Sequence, residues 1–304
     1  MSDCVHDHAR WTQRWGKDDQ RGAGNLLTPA TRLAALSTVT RGEVIDLSHV
    51  IELGAPRIEP NQTPYLIATG ASWRNTIKRR RAHGAGNDAG SNLERIEMTT
   101  HVGTHIDALG HFSIGDYLYG GRSAFDTVSD FGLNELGVEH VPPIIARAVL
   151  LDLAGLDGGA HLEKGRALTA DDLKRSCDKA RLEIRAADVV LLRTGWGRFF
   201  MADNPRYVAG EPGIEEGAAR WLTGQGVLAI GADNMAVEAI PNPRHPAVSM
   251  PVHQHALAEA GVYLIENLAL DEVAAAGLTQ FCFILLSVKF KGATGCPVRP
   301  IALL

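Results

Sequence analysis

Three histidines and an aspartate fall within the eleven residues His101-Val-Gly-Thr-His105-Ile-Asp107-Ala-Leu-Gly-His111. Imidazole nitrogen and carboxylate oxygen are ligand types that suit zinc, and manganese is compatible with the same set. His105 and Asp107 are two apart, so they project to one side of an extended backbone. His101 and His105 are four apart, a spacing that would stack them on a helix. Val102, Gly103 and Thr104 between them are poor helix formers. A tight turn at Gly103 is therefore the expected route to convergence. Thr104 can orient a ligand through its hydroxyl. The pattern points to metal-assisted chemistry; a surface loop that happens to be rich in histidine is the alternative.

More groups of the same kind lie late in the chain. Pro251-Val-His253-Gln-His255 carries two imidazoles at the start of an expected helix, where they can also cap or face solvent. Glu266 ends an apolar run in which an unpaired carboxylate would be costly to bury, so a paired or functional role is expected. Asp233 and Glu238 follow another apolar run and read as capping or salt-bridging groups. Trp196 reads as core packing or a pocket wall. The chain has no G-x-x-x-x-G-K-[ST], G-x-S-x-G or H-E-x-x-H motif. Gly84, Gly86 and Gly90 do not fit G-x-G-x-x-G, so no nucleotide cofactor is indicated.

The elements that must hold these groups alternate in type. Thr28 can cap a helix that opens on Pro29, and Val44–Leu47 reads as a strand. Residues 54–92, rich in Gly, Pro, Asn and Arg, read as a long excursion with a short helix around Trp73–Arg81. Beyond residue 140, strands are expected at 148–153, 188–193, 227–231, 262–265 and 281–288. Helices are expected near 170–180, opened by a capping box at Thr169, near 214–223 and near 253–260. The Gly/Pro-rich end reads as an irregular closing segment. This alternation indicates a mixed α/β domain. The expected organisation is an N-terminal arm and helix over 1–40 followed by a single domain over 41–304.

Composition narrows the class. A chain of 304 residues with 45% hydrophobic and 21% charged residues is ordinary for a globular protein. The formal charge of −5 argues against a general nucleic-acid binder, although Lys78-Arg79-Arg80-Arg81 runs against that trend. Four cysteines, Cys4, Cys177, Cys282 and Cys296, are scattered and read as reduced thiols. The polar opening, with His6, Asp7, His8, Arg10 and Arg14, has no apolar signal core, and no run approaches a membrane span. A cytoplasmic protein acting on a small molecule, with no nucleic-acid or membrane partner, is the expectation.

The histidine stretch strongly resembles the H-x-G-T-H-x-D-x-P-x-H signature of the cyclase-like metal hydrolases, which include kynurenine formamidase and isatin hydrolase. Every polar position is present, and Leu109 stands where the signature often has Pro. Asn25-Leu-Leu-Thr-Pro29, Arg193-Thr-Gly-Trp196, Gly231-Ala-Asp-Asn234 and Ile265-Glu-Asn-Leu268 resemble the same family. The resemblance implies a swivelling β/β/α domain, a mixed sheet flanked by helices, assembled as a homodimer or homotetramer. It implies His101, His105 and Asp107 as metal ligands and His111 as catalytic acid/base. Glu266 takes a catalytic role and bridges ions in two-metal members, and His253 completes a second site. His253 and His255 stand thirteen and eleven residues before Glu266; His253, directly after Pro251-Val252, is the better match. The implied cofactor is zinc or manganese, one or two ions per chain. The implied reaction is opening of a small amide (a lactam, isatin-like ring or arylformamide) by metal-activated water. Lactone or ester hydrolysis is the runner-up, and a metal-containing binding protein is a third reading.

Overall fold

Ala148-Val-Leu-Leu and Val189-Val-Leu-Leu are uninterrupted apolar runs, as expected of strands covered on both faces. The structure, a computed structural model describing residues 14–304, places both at the centre of a nine-stranded mixed sheet. In chain order the strands are β1 (Val44–Asp46), β2 (Leu66–Ala71), β3 (Leu93–Glu97), β4 (His105–Asp107), β5 (Tyr117–Leu118), β6 (Arg122–Ser123), β7 (Val128–Ser129) and β8 (Gly132–Leu133). They continue as β9 (Ile144–Asp152), β10 (Ala167–Leu168), β11 (Val189–Arg193), β12 (Gly213–Ile214), β13 (Ala229–Ala232), β14 (Tyr263–Glu266), β15 (Gln280–Leu285), β16 (Gly295–Pro297) and β17 (Ile301–Leu303).

The large sheet has the order β1-β17-β15-β9-β11-β13-β14-β4-β16. Its centre, β9-β11-β13-β14, is parallel, and antiparallel strands extend it on both sides. Helices flank it. Thr28 caps the helix Pro29–Leu36 by accepting from the Thr31 N–H at 3.1 Å. Thr169 accepts from the Asp172 N–H at 3.1 Å, and Asp172 accepts in return from the Thr169 N–H at 2.9 Å. That reciprocal pair opens the helix Ala170–Ala180 where the capping box predicts it. The expected mixed sheet flanked by helices is present. The first residues of the N-terminal arm, including Cys4, His6, Asp7, His8 and Arg10, lie outside the described residues. From residue 19 onward the chain is bonded to the sheet layer: Tyr119 donates to Asp19 at 2.8 Å and Tyr263 to the Arg21 carbonyl at 2.6 Å.

Two expectations are corrected. The closing segment is not irregular, because β17 inserts between β1 and β15, and β16 pairs with β4. These three-residue strands, interrupted by Pro297 and Pro300, are too short to show a period in sequence. Residues 54–92 are more than a loop with a helix. They contain β2, which pairs antiparallel with β3 across the helix Trp73–Ala82 to form a separate two-stranded ribbon. Among the described residues no helix is long and apolar enough to cross a membrane.

His49, just after β1, stacks on Phe200 with ring centroids 4.1 Å apart and planes 8° from parallel. Loss of hydration lowers its pKa to about 4, well under the ordinary 6.5. The unfolded chain then takes up a proton before the folded one does. Its contribution to stability is present above pH 6.5 and declines as pH falls toward 4. Between pH 7.5 and 5.0 this residue should remove about 2 kcal/mol of unfolding free energy. Urea denaturation at both values should show that loss shrinking in His49→Phe, which keeps the stack and cannot titrate. Equal pH sensitivity in the two proteins would refute it.

Candidate metal centre

The register of β4 against β14 brings the two halves of the site together. His105 lies directly opposite Glu266, and Asp107 opposite Leu264. The His105 Nε2 is 3.1 Å from Glu266 Oε2 and 3.5 Å from Asp107 Oδ1. Ahead of β4 the chain turns at Gly103, whose φ of +74° is the left-handed conformation expected for that turn. A Cβ there would meet Ile51 at 2.6 Å, so space as well as backbone angle demands glycine. The turn returns His101 to Asp107, with Nδ1 2.9 Å from Oδ1. Gly295 on β16 packs against the His101 ring, where a Cβ would lie 2.5 Å from Cε1.

His253 enters from the start of the segment leading into the π-helix Gln254–Ala260. Its Nε2 is 3.1 Å from Glu266 Oε1 and 3.7 Å from Asp107 Oδ2. His111 lies at the rim, 25% exposed, with its ring stacked on His101 at 4.0 Å and Nε2 3.9 Å from Asp107 Oδ2. His255 points elsewhere, bonded to Glu259 at 2.7 Å and Thr223 at 2.8 Å. Of the two late histidines the structure gathers His253 with the other groups and leaves His255 out.

The backbone and neighbouring side chains fix which ring nitrogens can act as ligands. The Gly103 carbonyl can only accept, so His105 Nδ1–H donates to it at 2.8 Å and Nε2 keeps its lone pair. Glu238 accepts from His253 Nδ1 at 2.7 Å and from the His253 N–H at 3.1 Å, again leaving Nε2 as the free donor atom. Thr294 meets His101 Nε2 at 2.9 Å, so Nδ1 faces Asp107. These outer contacts are of the kind that orient metal-binding imidazoles.

The atoms left over form a candidate cation site. His101 Nδ1, His105 Nε2 and both Asp107 carboxylate oxygens are buried with no hydrogen-bond partner. Their ligand atoms group as His101, Asp107 and His111, and as His105, Asp107 and Glu266, with Asp107 common to both. That grouping separates His101 from His105, which the sequence had suggested share one ion. Three carboxylates, Asp107, Glu238 and Glu266, are buried here, an arrangement that is costly without positive charge. Burial works against ionisation of Asp107, yet His111, His101 and His105 around it hold its pKa far below the ordinary range. Burial likewise opposes protonation of His253, but Glu238 and Glu266 raise its pKa well above the ordinary value.

Some supporting residues were not singled out as such in sequence. Asn267, in the left-handed region at φ +54°, donates to the Gly103 carbonyl at 3.0 Å, and Thr104 donates to the Asn267 carbonyl at 2.5 Å. Tyr207 donates to the Asn267 side chain at 2.7 Å. Asn267 adjoins Glu266 within the Ile265-Glu-Asn-Leu268 stretch, but no role is read for it in sequence. Glu238 reads in sequence as capping or pairing; it does pair, and its partner is His253. Asp233 is structural, accepting from Thr194 N–H, Thr194 Oγ1 and Gly195 N–H. Trp196 is 1% exposed and belongs to a small core cluster. Leu109 is also core, which accounts for an apolar side chain at the position often held by Pro.

The centre opens into a cavity of about 510 Å³. Its walls are largely apolar, with Ile58, Phe112, Val208, Met235, Ile240 and Met250, and Asn61 and Gln62 at one side. Glu211 braces one wall by accepting from the Met235 and Ala236 N–H groups at 2.8 and 2.7 Å. A family model for Cyclase matches residues 45–239. The chain belongs to the Cyclase family. It is 23% identical over 224 residues to Cyclase-like protein 2 of Oryza sativa subsp. japonica, covering 71% of this chain and 66% of that one. It is 25% identical over 210 residues to a kynurenine formamidase of Bacillus thuringiensis (strain Al Hakam), covering 69% and 79%. The chain thus spans just under two thirds of the length of the plant relatives it matches. Across 99% of the chain the fold matches all of a crystal structure described as a novel cyclase, at TM-score 0.85 and 27% identity. An isatin hydrolase bound to the product analogue thioisatinate shares the fold at TM-score 0.64 and 20% identity, over 91% of this chain and 99% of that one.

Chelated and dialysed protein should bind zinc or manganese in isothermal titration, and Asp107→Asn should abolish tight binding because both groups share Asp107. His255→Ala should leave affinity unchanged. Loss in His255→Ala with retention in Asp107→Asn would reverse the assignment. Glu238→Gln should weaken the cation that His253 helps hold by about 10–100-fold, the usual scale for an outer carboxylate on a ligand histidine. Unaltered affinity with a native circular dichroism spectrum would reduce Glu238 to a structural contact.

Proposed function

We propose that this protein is a metal-dependent hydrolase that opens a small amide, with His101, His105, Asp107, His253 and Glu266 holding one or two divalent cations. The observation that carries the reading is the set of buried, unpartnered ligand atoms on His101, His105 and Asp107, next to a largely apolar cavity that His101, His253 and Glu266 line. Those donor atoms fit zinc or manganese. Kynurenine formamidase and isatin hydrolase among the similar proteins support hydrolysis of an amide as the reaction. When bound, such a cation supplies Lewis acidity and makes hydroxide available near neutral pH.

The chain's own groups would divide the remaining work. Loss of hydration lowers the His111 pKa to about 3, so its ring is neutral at physiological pH and gives up readily any proton it receives. Its place at the cavity rim suits it to pass that proton to the leaving nitrogen. Glu266, with one carboxylate oxygen 3.1 Å from His105 Nε2 and the other 3.1 Å from His253 Nε2, would hold a cation together with those two rings. Phe112, Val208 and Met250 exclude bulk water and receive the apolar part of the substrate. Gln62, which donates to the His101 carbonyl at 3.3 Å, offers a polar contact beside it.

Matched pairs of amides and lactones, an arylformamide and an isatin-like ring included, should be tested with metal-loaded protein. Amides should turn over faster. His111→Ala should lower kcat by about 10²–10⁴-fold, the scale for losing a general acid/base, while metal content by mass spectrometry stays at the wild-type level. Parallel loss of metal and activity would make His111 a ligand instead. No amide turnover by loaded protein would remove the proposed function.

A further inference from the structure

Pro241, Pro243, Pro246 and Pro251 punctuate the segment between Glu238 and His253, so a regular helix or strand is disfavoured there. The chain forms a series of turns instead. Asn242 Oδ1 accepts from the Arg244 N–H at 3.0 Å, the Asn242 carbonyl from the His245 N–H at 3.2 Å, and the His245 carbonyl from the Val248 N–H at 3.0 Å. Both ends of the loop are tied to residues that build the site. Ile240 exchanges backbone hydrogen bonds with Glu211 at 2.7 and 3.0 Å. The Met250 carbonyl accepts from the N–H of Gln254, the residue after His253, at 3.1 Å. Held at its ends and turned in between, the loop encloses a second cavity of about 220 Å³.

Ile240, Ser249 and Met250 line this cavity and also the 510 Å³ cavity beside the metal centre, so the two spaces adjoin at these three side chains. Ala239, Pro246, Ala247 and Val248 make the far space largely apolar. Glu238 is the carboxylate in its wall, and that group is taken up by His253 at 2.7 Å. Among the described residues no Lys or Arg lines either cavity. An ionised group carried into this space would lose its hydration without gaining a counter-charge. The two adjoining spaces have the size that takes a drug-sized molecule, more than a lone bicyclic ring fills.

On the hydrolase reading above, we propose that the space under the loop is a subsite for the far end of the substrate. The substrate is then an uncharged amide whose apolar tail runs from the metal centre past Ser249 and Met250. Zinc-loaded protein should hydrolyse para-hexylformanilide with a kcat/KM at least about tenfold above that of formanilide, because each methylene taken out of water is worth about fourfold. Ending the tail in a carboxylate should cancel that gain. Benzohydroxamates with the same three tails, which need only bind, should show the same order of Kd in isothermal titration. Ser249 and Ala247 are exposed loop positions that tolerate a larger side chain. Ser249→Phe and Ala247→Phe should each bring the Kd values of the hexyl and unsubstituted hydroxamates together, with a native circular dichroism spectrum. Equal affinity with and without the tail, a carboxylate tail bound as tightly as the alkyl one, or a tail preference that survives either substitution would overturn the subsite. A tail preference among the hydroxamates with no hydrolysis of any formanilide would support the subsite and remove the hydrolase reading instead.

Discussion

One buried carboxylate governs the design of this molecule. Asp107 sits on β4 with no accessible surface and no hydrogen-bond donor to either oxygen, ringed by His101, His105, His111 and His253. Such a group left alone would cost several kcal/mol. The surrounding chain does not neutralise it with a buried Arg or Lys; it points imidazole lone pairs and a second carboxylate, Glu266, at the same space. Donor atoms converging in this way suit a cation, and the need for charge balance accounts for much of the local architecture.

The demand is met by making the floor of the site out of sheet. Antiparallel pairing of β4 with β14 sets His105 against Glu266, and β16 on the other side closes over His101 with a glycine because nothing larger fits. Loops then need only small corrections. Asn267 clamps the Gly103 turn, Thr104 ties that turn back to Asn267, and Tyr207 holds Asn267 in place. On the far wall, Glu211 fixes the backbone at Met235 and Ala236, three residues before Glu238 reaches His253. The gathered groups come from distant parts of the chain: His105, Asp107 and Glu266 stand on strands, and His253 on the helical segment Pro251–His253.

Much of this was legible in sequence because it is local. The Gly103 turn, the cap at Thr28, the capping box at Thr169, and the apolar runs of β9, β11, β13 and β14 follow from residue types within a few positions. The choice between His253 and His255 was harder, since both lie on one helical segment. What separates them is the partner each meets: Glu238 and Glu266 for one, Thr223 and Glu259 for the other. Partners of that kind belong to tertiary structure and leave no period to read. The same holds for Thr294 and Gly295, which touch His101 from 193 and 194 positions away, and for β16 and β17, whose three residues gain strand geometry only from their neighbours.

The exposed ribbon obeys a different constraint from the site, yet the two meet. Its strands leave the body at Thr63 and return at Thr99, where the Thr63 N–H donates to Thr99 Oγ1 at 2.7 Å. Gln62, one residue before that root, and Thr99 itself line the cavity above His101. The ribbon is exposed on both faces, with Glu94, Arg95 and Glu97 set among the apolar Leu93 and Ile96 of β3. The hydrogen bond between Thr63 and Thr99 closes the base of the ribbon. One side of the cavity is therefore built on the main sheet, while Gln62 and Thr99 join its lining to the root of the exposed ribbon.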